Sequence, residues 1–200
     1  TAKLGADGSV IELGTDLDLG VGRVDLPAPM VAAYHVTGGK AGLSFVPGRL
    51  SFDDVRIEAG ETAAVLKGQA INPLGQWAID ITATATDVRT NDLPQLWPET
   101  VGDNARTWVV ENLTEGIVHQ AELRTRLHQD ETGNIVVDHL DGEMNMTGVT
   151  VHYLGDMPSV LGAGGRAEFD QSSFSIFVNE GEADGIVVDE ATLVFSQLDT

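Results

Sequence analysis

Apolar and polar residues alternate with a period of two along most of the chain, which is the pattern of strands with one buried face. One run, after Gln76, has the apolar members Trp77, Ile79, Ile81, Ala83 and Ala85. A longer run predicts a strand with one face formed by Ile117, His119, Ala121, Leu123, Thr125 and Leu127. Farther on, Gly148 stands where the alternation changes parity, which predicts a β-bulge there.

Residues 93–116 break this pattern and predict the one helix of the chain. Trp97-Pro98 is a helix start signal, because proline at the first helical position loses no intrahelical hydrogen bond. The apolar residues that follow recur at helical spacing and share one face: Val101, Ala105, Trp108, Val109 and Leu113. We therefore expect a short amphipathic helix near residues 98–113 that ends before Gly116.

The whole pattern predicts a mainly β protein with antiparallel strands around that helix. It divides into a strand-rich segment, 1–91, and a segment, 92–200, in which the helix precedes long strands. Residues 48–61 and 165–182 share Gly-Arg-x-x-Phe-Asp, then a strand, then Gly-Glu. This faint repeat indicates strand units stacked along an axis, although chance similarity between two strand-turn-strand sequences explains it as well.

Composition narrows the classes of function. The 200 residues include 31 acids and 11 bases, and a formal charge of −20 argues against sequence-independent binding to nucleic acid or to an anionic membrane surface. The 42% of hydrophobic residues are compatible with a packed core, and no apolar run is long enough to span a bilayer. The chain begins and ends in strand-like sequence, so we expect it to be part of a longer protein.

No pattern of catalytic or ligand-binding residues stands out. The five histidines are scattered over different strands, the acidic turns lack the spacing of a calcium loop, and no Gly-x-Ser-x-Gly occurs. We therefore expect no catalytic site, no metal and no cofactor, hence not an enzyme. Arg106 is the most interesting polar residue, since it could bridge the helix to the sheet or meet a lipid phosphate.

The helical segment also carries a recognisable order of residues. Leu93-Pro94 leads to Trp97-Pro98, then to Ala105-Arg106-x-Trp108, then to Asn112-Leu113-x-x-Gly116 and a long strand, and in this order the sequence resembles the AsmA-like domain of large bacterial envelope proteins. The resemblance extends to about Leu198, is weak before Leu93, and gives these residues structural roles: Trp97, Pro98, Arg106, Trp108, Asn112 and Gly116.

This resemblance implies an elongated, curved antiparallel sheet with an apolar groove. Proteins of that family are anchored in the inner membrane, project through the periplasm and are implicated in moving phospholipid to the outer membrane. For this chain it implies a periplasmic conduit segment, with phospholipid as ligand, possible envelope protein partners, and a membrane anchor outside the sequence. Hydrocarbon needs such a lining, because each methylene exposed to water costs about 0.8 kcal/mol.

The candidates for the groove lining are apolar residues of the alternating strands: Trp77, Ile79, Ile81, Leu123, Leu127, Val151, Tyr153, Phe174, Ile176, Val178, Leu193 and Phe195. For each residue, burial in an ordinary closed core is an equal alternative, because periodicity does not say what covers a face. Two other functions stay open: a structural or assembly module that binds protein partners, and a carbohydrate-binding β-sandwich.

Overall fold

The structure is a computed structural model that describes residues 1–26, 32–59, 62–97, 103–153 and 157–196. Strands dominate it, which confirms the mainly β prediction. In chain order they are β1 (Ala2–Leu4), β2 (Val10–Leu19), β3 (Gly22–Leu26), β4 (Ala32–Val36), β5 (Gly38–Val46), β6 (Arg49–Ala59), β7 (Thr62–Ile71), β8 (Ala78–Arg89), β9 (Leu113–Thr114), β10 (Ile117–Gln129), β11 (Ile135–Val151), β12 (Val160–Asp170), β13 (Ser173–Ala183), β14 (Ile186–Val187) and β15 (Ala191–Ser196).

Among the described residues, helix occurs only in the stretch between β8 and β9. A 3-10 turn (Thr90–Asp92) leads into α1 (Leu93–Leu96), and α2 covers Asp103–Asn112. The predicted helix near residues 98–113 agrees with α2 over its second part, whereas its predicted start at Pro98 lies outside the described residues. No helix within the described ranges combines the length and apolar character needed to cross a bilayer.

Thirteen strands form one antiparallel sheet in the order β1-β2-β5-β6-β7-β8-β10-β11-β12-β13-β14, with β15 also paired to β13 and β9 to β11. Strands β3 and β4 form a separate pair. The bulge predicted at Gly148 is confirmed, because the β11–β12 register shifts between Met146 and Val149, and Gly148 has a φ of 69°.

The chain folds into two compact units. Unit 1 comprises Thr1–Val24, His35–Thr84 and Leu123–Leu140, and unit 2 comprises Asp25–Tyr34, Ala85–Glu122 and Asp141–Thr200. Strands β8, β10 and β11 each contribute residues to both. These units follow spatial contacts, so the division into segments 1–91 and 92–200 stays a prediction about the sequence.

Unit 2 has a closed core beneath its helices. One row of paired residues crosses its sheet from Met144 through Ala167 and Ile176 to Leu193, and the first three expose 2% or less of their surface. Val109 of α2 is 1% exposed. The helix therefore buries one face of this sheet, as an amphipathic helix does.

One predicted strand face is wrong at its start. In β10, Val118 is 1% exposed and Ile117 is 42% exposed, whereas Leu127 at the other end is buried as predicted. Val118 and Leu127 have opposite parity, so the alternation of β10 breaks between them, and the predicted single face from Ile117 to Leu127 does not exist.

Three tight turns between consecutive strands each contain an aspartate whose carboxylate accepts hydrogen bonds from the turn. The carboxylate of Asp170 accepts hydrogen bonds from the backbone N–H groups of Ser172 (2.7 Å) and Ser173 (2.8 Å) and from both hydroxyls. Asp130 accepts in the same way from Thr132 and Asn134, and Asp7 from Ser9. Because these donors stabilise the charged form, each of the three carboxyl groups has a pKa below its ordinary value.

Candidate functional site

The register of unit 1 separates an apolar face from a polar one. Directly opposed residues share a face, and one row runs from Leu13 through Phe45 and Leu50 to Ala70. We call this side the apolar face of unit 1. Its large side chains come from four neighbouring strands: Leu13, Leu17, Leu19, Leu43, Phe45, Leu50, Phe52, Val55, Ile57 and Leu66.

A bulge and a glycine keep this face continuous. Asp54 has a φ of 51°, and the β6 register shifts by one residue there against both neighbours, which returns Val55 and Ile57 to the face of Phe52. A Cβ on Gly68 would collide with the Phe52 ring and with the backbone of Asp80. None of the residues that the register pairs on this face is charged.

No protein layer buries these side chains fully. None of the ten is buried, and Leu13 and Leu17 expose 45% and 43% of their surface. Among the residues that the structure describes, unit 1 contains no helix. These side chains therefore leave apolar surface in contact with water. Soluble proteins seldom expose an apolar patch that continues over several neighbouring strands.

The opposite face of unit 1 is polar and contains a depression of about 730 Å³. Its lining comes from β6, β7, β8, β10 and β11 and includes the intervening residues Gly68, Ile81 and Thr125. We call it the polar depression after its polar side chains, which include Ser51, Asp53, Lys67, Gln69, Asp80, Arg124 and Arg126. Arg126 Nε lies 2.6 Å from Asp80 Oδ1. The two side chains therefore point to the same side of the sheet.

This geometry places the predicted lining residues of unit 1. Ile79 and Ile81 alternate with Asp80, and Leu123 and Leu127 alternate with Arg124 and Arg126, so alternation puts all four on the apolar side. Ile81 also borders the polar depression. Leu127 is buried, and the other three are half-buried, as is Trp77 just before β8. These five predicted residues thus extend the apolar face across β8 and β10.

The predicted lining residues of unit 2 have a different environment. Val151, Phe174, Ile176 and Val178 expose 3% or less of their surface, while Leu193, Phe195 and Tyr153 are half-buried. The Trp108 ring centroid lies 5.4 Å from that of Phe174 and 4.5 Å from that of Phe195. Protein covers the four buried residues in this structure, which is the closed-core alternative left open by the sequence.

The residues given structural roles by the resemblance assemble the helical layer of unit 2. Trp97 packs on Phe169 with ring centroids 5.2 Å apart. The Arg106 guanidinium donates from Nε to the Trp97 carbonyl (2.9 Å) and from Nη2 to the Pro94 carbonyl (3.1 Å). Arg106 therefore ties α2 to the end of α1 through backbone carbonyls, and within the described residues it forms no salt bridge to the sheet.

The end of the same layer depends on Asn112 and Gly116. The Asn112 side-chain amide donates to the Trp108 carbonyl (2.8 Å), and the Asn112 carbonyl accepts from the His152 N–H (2.8 Å). Gly116 has a φ of 68°, and a Cβ there would collide with the backbone at Thr147 to Val149. These contacts fix where the chain leaves α2 and enters β10. Pro98 lies outside the described residues.

Tyr34 adds a polar contact to this layer. Its hydroxyl donates to the Leu96 carbonyl (3.2 Å), and burial raises its pKa although the nearby Arg106 charge opposes this. Within the described residues, no three His, Asp or Glu side chains are arranged to hold a metal ion. His152 is exposed, and its ring nitrogens lie near the hydroxyls of Ser159 (2.6 Å) and Thr114 (3.2 Å).

Sequence reasoning missed most of the apolar face of unit 1. Its signal was present, because Leu17 and Leu19 alternate with aspartates, and Leu43 and Phe45 alternate with polar or small residues. Most of the predicted lining residues lie instead within residues 117–195, where the resemblance is strongest. Comparisons of this chain with family models, with curated proteins and with solved structures gave no match.

Proposed function

We propose that this protein is a non-catalytic lipid-shielding segment, in which acyl chains of a phospholipid lie on the apolar face of unit 1. The observation that supports the proposal is the set of ten large apolar side chains on four neighbouring strands, none of them buried and none paired with a charge. Each methylene that leaves water for such a surface gains about 0.8 kcal/mol.

The composition of the face favours hydrocarbon over a protein partner. Protein interfaces are anchored by Trp, Tyr and Arg side chains that combine apolar area with hydrogen bonds. The ten residues here are eight aliphatic side chains and two phenylalanines, Phe45 and Phe52, without a hydrogen-bonding group. Four strands spaced about 4.8 Å apart extend roughly 15 Å, which is half the ~30 Å hydrocarbon thickness of a bilayer.

The resemblance to AsmA-like domains supports the biological setting of this proposal. It assigns the chain to the periplasm as part of a protein anchored in the inner membrane through a segment outside this sequence, with phospholipid as cargo and envelope proteins as possible neighbours. The closed core of unit 2 then has a supporting role, since its helical layer leaves no open apolar surface at Phe174 and Ile176.

Lipid extraction and mass spectrometry of the purified protein test the proposal. We expect bound phospholipid in the wild type and at least a fivefold loss in Leu43→Glu, because a carboxylate would lie in the middle of the apolar face. The matched control is Ser44→Glu, which adds the same charge to the same strand on the opposite face. The control is expected to retain its lipid.

Equal lipid content in both variants, or no lipid in the wild type, would overturn the proposal. In that event, a protein ligand on the same face becomes the better explanation, as in a structural or assembly module. Circular dichroism of the two variants separates a loss of lipid from a loss of folding.

A further inference from the structure

The basic residues of this acidic protein are concentrated in one unit. Unit 1 contains eight of the 11 bases and 12 of the 31 acids, a net charge of −4. Unit 2 contains three bases and 19 acids, a net charge of −16. A cluster of basic side chains is therefore more expected in unit 1 than in unit 2.

Within unit 1, the register places several of these bases on the polar face. Lys40 and Arg56 are directly opposed in β5 and β6, and Arg56 has its partner Glu58 at 3.0 Å. Lys40 also lies directly opposite Asp18 in β2, so acidic side chains accompany both of these bases. Lys67, Arg124 and Arg126 lie on the same face and line the polar depression.

The polar depression contains hydrogen-bond donors that have no acceptor among the described residues. Asp80 accepts a hydrogen bond from Arg126 Nε, and Arg126 makes no other hydrogen bond with the described residues, so its Nη groups are available. The side chains of Lys67 and Gln69 make neither hydrogen bond nor ion pair within the described part of the chain. The Asp53 carboxylate in the same depression is likewise without a partner there.

We propose that the polar depression binds a phosphorylated polyol, with the phosphate between Arg126 and Lys67 and the hydroxyls towards Asp53 and Gln69. Arginine Nη groups pair with phosphate oxygens in a fixed planar geometry, and lysine adds a mobile positive charge. The Asp53 carboxylate accepts hydrogen bonds from hydroxyl groups, and the Gln69 amide can donate to them or accept from them. The site lies on the face opposite the proposed lipid surface and does not depend on it.

Titration of the full chain with glucose 6-phosphate, followed by NMR of labelled amides and by calorimetry, tests this site. We expect saturable binding of glucose 6-phosphate and none of glucose at the same concentrations. Arg126→Gln and Lys67→Gln should each weaken binding about tenfold, since each removes a charge-assisted hydrogen bond. Raising the salt from 0.05 to 0.5 M should also weaken it, since the groups are exposed to screening.

Arg56→Gln is the matched control, because Arg56 is an exposed, ion-paired arginine of the same face outside the depression. It should bind like the wild type. Equal binding of glucose, an equal loss in Arg56→Gln, or no binding of any phosphorylated probe overturns the proposal. Leu43→Glu should retain sugar-phosphate affinity, so failure here and failure of the lipid proposal are distinguishable.

A parallel experiment identifies the source of the phosphate. Vesicles of phosphatidylglycerol and of phosphatidylcholine, together with soluble glycerol 3-phosphate, are compared by co-sedimentation and titration. Binding of the soluble esters supports a free sugar or polyol phosphate. Binding only to phosphatidylglycerol vesicles, lost in Arg126→Gln and kept in Arg56→Gln, supports the same phosphate recognition on a lipid headgroup.

Discussion

The two units of this protein use the same strand pattern and differ in what covers its apolar face. In unit 2, Trp97 and Trp108 pack on Phe169 and Phe174, and Ile176 beneath them is 1% exposed. In unit 1, the equivalent period-two pattern leaves Leu13 and Leu17 more than 40% exposed. Alternation therefore specifies that a strand has an apolar face, and the covering layer must be encoded separately.

Charge follows the same division. The unit with a sealed core carries a net charge of −16, and the unit with an incompletely buried face carries −4. Self-repulsion between like charges destabilises a compact state, and a closed core can offset it. Unit 1 buries few large side chains, so it has less hydrophobic stabilisation to oppose such repulsion.

The largest expected effect comes from placing a carboxylate on each apolar face in turn. Ile176→Glu forces a charge into a closed core, so we expect a loss of more than about 4 kcal/mol in the free energy of unfolding, or no folded protein. Leu43→Glu places the same group on the half-buried face of unit 1 and should cost about 1 kcal/mol or less. Urea unfolding followed by circular dichroism measures both.

Similar losses in these two variants would break the comparison, because they would mean that the apolar face of unit 1 is as closed as the core of unit 2. Ile176→Val serves as the control for Ile176→Glu. It removes one methylene without adding charge and should cost roughly 1 kcal/mol.

A smaller effect is expected at the arginine that joins the two helices of unit 2. Arg106→Gln removes charge-assisted hydrogen bonds to the carbonyls of Trp97 and Pro94, and we expect a loss of about 2 kcal/mol in the free energy of unfolding. Arg56→Gln in unit 1 removes only an exposed ion pair with Glu58 and should cost less than about 0.5 kcal/mol. The same urea experiment measures both.

A loss in Arg106→Gln no larger than in Arg56→Gln would show that the helical layer does not depend on this arginine. Amide hydrogen exchange sharpens the result. In Arg106→Gln, faster exchange should be found in α2, where opening exposes Val109, before it is found in the strands of unit 1.

Much of the local structure could be predicted from the sequence because it depends on neighbouring residues. The bulge at Gly148 followed from a change of parity at a glycine. The second part of the helix followed from the spacing of Trp108, Val109 and Leu113. Each of these features is determined by residues close together in the sequence, and hydrophobic periodicity is a pattern of such neighbouring residues.

Features that depend on distant strands could not be predicted in this way. The bulge at Asp54 keeps Val55 and Ile57 on the apolar face, yet no glycine marks it. The break of alternation in β10 has no sequence signal either. Whether Ile176 or Leu43 is covered depends on residues far along the chain. The predicted lining residues therefore include both buried and half-buried side chains.

The smallest expected effect concerns a turn device that the two units share. Asp130 in unit 1 and Asp170 in unit 2 both have a lowered pKa: the Thr132 hydroxyl is the main cause for Asp130, and the Ser172 N–H for Asp170. A carboxyl group with a lowered pKa in the folded state stabilises the fold above its unfolded pKa of about 3.9, and this contribution is lost as the pH falls through the folded value.

Carbon-detected NMR titration should give both groups values below 3.9 whatever covers the adjacent sheet, and Asp130→Asn or Asp170→Asn should each flatten the acid limb of the stability curve slightly. An ordinary pKa for Asp130 combined with a lowered one for Asp170 would mean that these turns, too, depend on the closed core.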